Sequence, residues 1–291
     1  MPLPSDQATM SNGRLLPNLI VIGAQKCGTT SLHYYLSLHP QISMAGAKEL
    51  NFFIADRNWP RGVAWYQSHF TRPAPVRGES SPGYSNYPWH PGVAQRMADL
   101  LPDARLIYLV RDPIQRVVSH YLHRHSLGLE HRPLAEALAD PGPDNPLVTR
   151  SRYHWQLQQF LPFYPLERIL IIAAEDLYYH RLETLRRIFA FLGVDPDFSS
   201  SGFARVKYRS QELRRLGPWG LKLRKYSYEH MNRTAPALQR FLTYWACYPL
   251  SARIERPALS EGQRHALSAW LWPDVQQLRA LTGQAFAQWS L

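Results

Sequence analysis

Lys26, Gly28 and the hydroxyls of Thr29, Thr30 and Ser31 fall within one short run, Asn18-Leu-Ile-Val-Ile-Gly-Ala-Gln-Lys-Cys-Gly-Thr-Thr-Ser31. An apolar strand pattern breaks at Gly23 into a loop and enters a helix. That arrangement aims backbone N–H groups and the positive end of a helix dipole at one point, where an anion replaces the missing intrahelical acceptors. The spacing approaches a triphosphate-binding GxxxxGK(S/T): Gly23 and Gly28 fit, but Thr29 stands at the lysine position and the lysine is Lys26. In nucleotide kinases the lysine after the second glycine reaches the outer phosphates and the next hydroxyl holds Mg²⁺. Neither feature is intact here. The pattern therefore points to a nucleotide with a 5′-phosphoryl group and no bound metal, with Lys26 on one phosphate or on the bridging oxygen of a leaving group.

A second segment points the same way. Arg105 to Val110 is a short β-rich apolar run of the kind buried in a parallel sheet, and Arg111-Asp112-Pro113 follows it. Pro113 suits a first helical turn, and Ile114 to His125 reads as helix. Arg111 at the strand tip and Ser119 in that helix are then expected at the crevice where open α/β sheets bind ligands.

Together these segments resemble the sulfotransferase family that uses 3′-phosphoadenosine 5′-phosphosulfate (PAPS), in its bacterial and heparan-sulfate-sulfotransferase-like branch. The resemblance implies that Lys26, Cys27, Gly28, Thr29, Thr30 and Ser31 hold the 5′-phosphosulfate and that Arg111 and Ser119 hold the 3′-phosphate. Ala47-Lys-Glu-Leu-Asn-Phe-Phe53 is similar to the family's Lys-Glu-x-x-Phe-Phe run, and Gly78-Glu-Ser-Ser-Pro-Gly-Tyr84 to its Glu-Lys-Ser-Pro-x-Tyr run. From the latter, Glu79 is expected as the catalytic base, with Lys26 and Lys48 assisting and Glu49 orienting Lys48. Ser80 replaces the family's lysine after the glutamate. The late Lys-Gly-Arg loop has no clear copy; Arg209, in Val206-Lys-Tyr-Arg-Ser210, and Arg253 are candidates. His33, His90 and His120 are alternative bases. The implied activity is transfer of a sulfuryl group from PAPS, with no metal, to an acceptor hydroxyl or amine. A P-loop small-molecule kinase and a non-catalytic nucleotide- or glycan-binding protein are the alternatives.

The elements that must position these residues follow from the apolar pattern. Strands are expected at 19–22, 76–79, 106–110 and 169–173, and helices at 30–38, 91–101, 114–125, 152–163 and 180–192, the last ending at Gly193. Such alternation predicts a P-loop-like three-layer α/β sandwich, a central parallel sheet with helices on both faces. Residues 1–14 are expected as a flexible N-terminus and 15–291 as a single domain; Asp140 to Pro146 reads as a surface loop. A formal charge of +11 implies anionic partners: the cosubstrate itself, and an anionic glycan or lipid acceptor in preference to nucleic acid. Two cysteines, no 18-residue apolar run and no signal-peptide pattern give the expectation of a cytoplasmic protein.

Overall fold

A computed structural model describes residues 10–11, 14–142, 144–205, 214–217, 219–220, 222–223 and 251–291. Its centre is a five-stranded parallel sheet of β1 (Leu19–Gly23), β2 (Ile42–Met44), β3 (Val76–Ser80), β4 (Arg105–Val110) and β5 (Ile169–Ala173), in the order β2-β3-β1-β4-β5. Every residue of β1 is buried, as a central parallel strand covered on both faces requires. The helices include α1 (Thr29–Leu38), α2 (Val93–Leu100), α3 (Pro113–Ser126), α4 (Tyr153–Leu157), α5 (Ala174–Tyr179), α6 (Arg181–Leu192) and α7 (Glu261–Thr282). The architecture is the expected α/β three-layer sandwich. No helix among the described residues is long and apolar enough to cross a membrane.

β1 is central, flanked by β3 on one side and β4 on the other: the chain leaves it for the edge strand β2, returns through β3, and crosses to the other side at β4. All parallel strands end on one edge of the sheet, so the loops after β1, β3, β4 and β5 share that edge. β1 pairs with β3 from Leu19↔Gly78 to Val21↔Ser80, and its pairing with β4 shifts register between Val21 and Gly23. Gly23 is required there. A Cβ on it would collide with Ser85 Oγ and stand 2.9 Å from the Tyr108 ring.

Some local expectations shift. The three-residue edge strand β2 lay below the sequence signal. The helix expected over 152–163 is helical only as α4, because the chain continues past it in successive turns to Tyr164. Gly193 ends α6 at φ 70°, donating its amide to Ala190 and Phe189 carbonyls, as a left-handed helix stop should.

Within 15–291 the described chain divides into two compact units, each discontinuous in sequence. The first holds the described residues up to Arg116, then Arg150 to Arg205 and Ala269 to Leu291; it contains the sheet and a continuous buried cluster running from Leu16 to Trp289. The second takes Val117 to Thr149 and the described part of 209–268. There Arg132 grips Glu130 with two hydrogen bonds of 2.8–2.9 Å, and the Asn145 amide closes the expected loop on the carbonyls of Ala137 and Asp140.

Candidate active site

The loop after β1 is tightly wound. Ala24 donates its amide to Leu109 of β4, Cys27 donates back to Ala24, and Lys26 and Gly28 both take positive φ, 74° and 92°. A lysine held in that region is locally strained, a condition that concentrates at ligand clamps. Ser31 and Leu32 both donate to the Gly28 carbonyl, so by helix geometry the amides ahead of them have no acceptor within α1, and no side chain caps the helix. A Cβ on Gly28 would meet no described atom within 4 Å, so the floor of the loop is open. Thr29 and Ser31 are buried and Thr30 is exposed.

Burial draws the Lys26 ammonium down to about 8; Glu49 nearby opposes that shift, whereas Arg111 adds to it. Lys26, Glu49 and Arg111 are therefore electrostatic neighbours, two cations and one carboxylate at the loop. Cys27 is a different case. It is buried, its thiol is pushed up to about 11 by that burial, and its Sγ lies 3.7 Å from the Tyr153 hydroxyl. It is a packing residue that lends its backbone to the cradle. The same hydroxyl accepts the Arg111 amide at 3.3 Å, so Tyr153 touches both halves of the site.

Glu79, expected as the base, occupies the tip of β3 but is 0% exposed. Tyr66 and Tyr84 donate to its Oε1 at 3.0 and 2.6 Å, and Ser81 donates to Oε2 at 2.6 Å. Burial raises its pKa, while these three donors hold it back. Both oxygens are engaged and neither is exposed, so in this arrangement Glu79 anchors the β3 tip from inside.

What Glu79 and its neighbours hold is the 48–53 run. Glu49 donates its amide to the Ser80 carbonyl at 3.0 Å, Asn51 to Ser81 Oγ at 2.9 Å, and Phe52 to Tyr84 OH at 2.9 Å. Glu49 and Asn51 take positive φ, 65° and 48°, and the Asn51 side-chain amide returns to the Glu49 carbonyl. The Glu49 side chain ends half exposed, 3.0 Å from Lys48 Nζ. His33 faces Ser80, its Nδ1 3.0 Å from the hydroxyl; burial, then Lys48, draws its pKa to about 4. It is neutral at physiological pH, and with Ser80 and the Ala45 carbonyl as partners it is occupied. The sequence pattern alone assigns Glu49 only an orienting role; the pairing of the two motifs leaves Glu79 buried and Glu49 half exposed.

The first unit thus brings together Lys26, Cys27, Gly28, Thr29, Thr30, Ser31, Lys48, Glu49 and Arg111. Ser119 and His120 are buried on α3 in the second unit, and Arg209 lies outside the described residues. His90 stands 4.0 Å from Asp56, with its pKa lowered by burial and Arg57. The open amides and the Lys26 ammonium fit the phosphosulfate end of a nucleotide, and the Arg111 guanidinium beside them suits a second phosphate.

The family model described as "Sulfotransferase domain" matches residues 16–212. The chain is 30% identical over 205 residues to the human "Bifunctional heparan sulfate N-deacetylase/N-sulfotransferase 2", covering 62% of this chain and 22% of that protein. It therefore spans about a fifth of that relative's length. Among solved structures, a sulfotransferase from Alicyclobacillus acidocaldarius superposes with a TM-score of 0.68 at 24% identity, covering 95% of this chain and 99% of that one. A mouse sulfotransferase, SULT7A1, complexed with PAP superposes with a TM-score of 0.51 at 16% identity, covering 89% and 84%. At these identities both likenesses speak to the fold.

Proposed function

The chain belongs to the sulfotransferase domain family, and from that premise we propose that it moves a sulfuryl group from PAPS to an acceptor hydroxyl or amine. The observation that carries the reading is the placement of Lys26 and Glu49 as electrostatic neighbours at an open, uncapped helix N-terminus. When bound, PAPS supplies an activated sulfuryl group. Lys26, the open amides of α1 and Thr30 hold the phosphosulfate, and Arg111 takes the 3′-phosphate. Glu49, half exposed beside Lys48, receives the acceptor's proton as the new bond to sulfur forms. Lys26 stabilises the negative charge left on the phosphate oxygen as its bond to sulfur breaks. Glu79 acts through the backbone of 49–52 and makes no contact with reactants.

The name of the human relative supports a glycan amine among the acceptors, and the net charge of +11 supports an anionic one. The test has two parts. Metal-free 3′-phosphoadenosine 5′-phosphate (PAP) raises the melting temperature, whereas ATP with Mg²⁺ does not; the opposite result replaces this reading with a kinase. Labelled PAPS with a panel of glycan, lipid, phenol and amine acceptors, read by product mass, then identifies the acceptor class.

A further inference from the structure

The Arg111-Asp112-Pro113 corner after β4 is held by residues far along the chain. The Asp112 amide donates to Glu175 Oε1 at 3.0 Å. Its carboxylate is split between two tasks: Oδ1 accepts the Gln115 amide at 2.8 Å, capping the first turn of α3, and Oδ2 accepts the Ser290 amide at 2.6 Å. Beside it the Trp289 indole N–H donates to Glu175 Oε2 at 3.3 Å. The indole is stacked on Phe286 at 4.2 Å and stands 5.8 Å from the Tyr153 ring, whose hydroxyl receives the Arg111 amide and contacts Cys27. Arg279 of α7 fixes the segment from behind through the carbonyls of Ala285 and Leu291, at 2.8 and 2.6 Å.

Trp289 and Ser290 thus reach the Arg111 corner by two routes. One is polar, through Asp112 and Glu175; the other is aromatic, through Tyr153. Asp112, Tyr153 and Trp289 are all buried, so these contacts are made away from competing water. We infer that the segment Phe286–Ser290 is a splint for the nucleotide site, setting the position of Arg111 and the Cys27 turn and thereby the affinity for the nucleotide. Trp289, Asp112 and Tyr153 are positioning residues in this scheme. The inference rests on the reading of Arg111 as a nucleotide ligand.

The decisive variant is Asp112→Asn. It keeps a carbonyl oxygen for the Gln115 cap but turns an N–H donor toward the Ser290 amide, so it breaks the splint and spares the helix. It also removes a negative charge next to Arg111, so charge alone would tighten PAP binding. The splint gives the opposite sign. In titration calorimetry with PAP, well below the unfolding temperature, Asp112→Asn is expected to bind about tenfold more weakly than wild type. Trp289→Ala is expected to weaken binding similarly, with Trp289→Phe recovering most of the loss because it keeps the ring on Phe286 and Tyr153. The KM for PAPS rises in both damaged variants while kcat stays near wild type. Wild type that binds PAP alongside an Asp112→Asn that binds equally or more tightly overturns the splint alone. Wild type that does not bind PAP overturns the functional reading together with it.

Discussion

The Tyr84 hydroxyl donates to Glu79 at 2.6 Å and accepts the Phe52 amide at 2.9 Å, so one phenol ties a buried carboxylate to the run that carries Glu49. Tyr84→Phe strands the Phe52 amide and takes one donor from a carboxylate that is 0% exposed. Unsatisfied buried groups of this kind cost about 1–3 kcal/mol. Urea unfolding is expected to show a loss in that range, and no loss would mean that water or a side-chain shift replaces the phenol.

Glu49 and Glu79 separate in their mutant phenotypes. Glu49→Gln is expected to lower kcat by at least about a hundredfold, in the range general-base removal gives, with PAP affinity and melting temperature near wild type. Glu79→Gln is expected to lower the melting temperature, because its amide nitrogen faces a hydroxyl donor. Paired kinetics and thermal denaturation decide the assignment; a fully stable but inactive Glu79→Gln would return the base to Glu79.

Lys26 sets an alkaline limit. Its pKa, drawn down to about 8 mainly by burial, means that the ammonium is charged at neutral pH and is lost as pH rises through that value. PAP affinity is expected to fall from about pH 8 upward. Lys26→Arg keeps the charge at high pH and is expected to remove this fall, even where its geometry weakens binding overall. An unchanged alkaline limb in the arginine variant would assign it to another group.

Asp274 makes stability depend on pH in the acid range. Burial pushes its carboxyl up to about 6 from an ordinary 3.8, although the amides of His154 and Trp155 donate to it at 3.0 and 2.9 Å. Because the folded value lies above the unfolded one, its contribution is greatest below about pH 4 and is lost as pH rises through 6. Melting temperature measured across that window is expected to fall in wild type. Asp274→Asn, less stable at every pH through loss of an acceptor, is expected to flatten that part of the slope.

The strand-loop-helix from Leu19 to Leu38 and the β4 tip at Arg111 were legible because local rules fix them: an apolar run, glycines at turns, a proline in a first helical turn. The different surroundings of Glu79 and Glu49 were not legible, for the opposite reason. Both glutamates sit in motif-like runs, and what distinguishes them is the ring of Tyr66, Tyr84 and Ser81 hydroxyls that only the fold assembles. Tyr153 is a core aromatic by type, and nothing local signals that its hydroxyl joins two loops whose sequence positions lie 126 and 42 residues away. Edge strand β2 is three residues long, too short for its period to register.

Asp274 lies 120 and 119 residues downstream of the two amides it caps in α4. During synthesis that short helix emerges long before its capping carboxylate exists, and so does Tyr153, which opens it. Nascent chains lacking α7 carry the helix without its capping carboxylate and without aromatic cover from Trp289, leaving the stretch between β4 and β5 open to chaperones and proteases until those residues have been made.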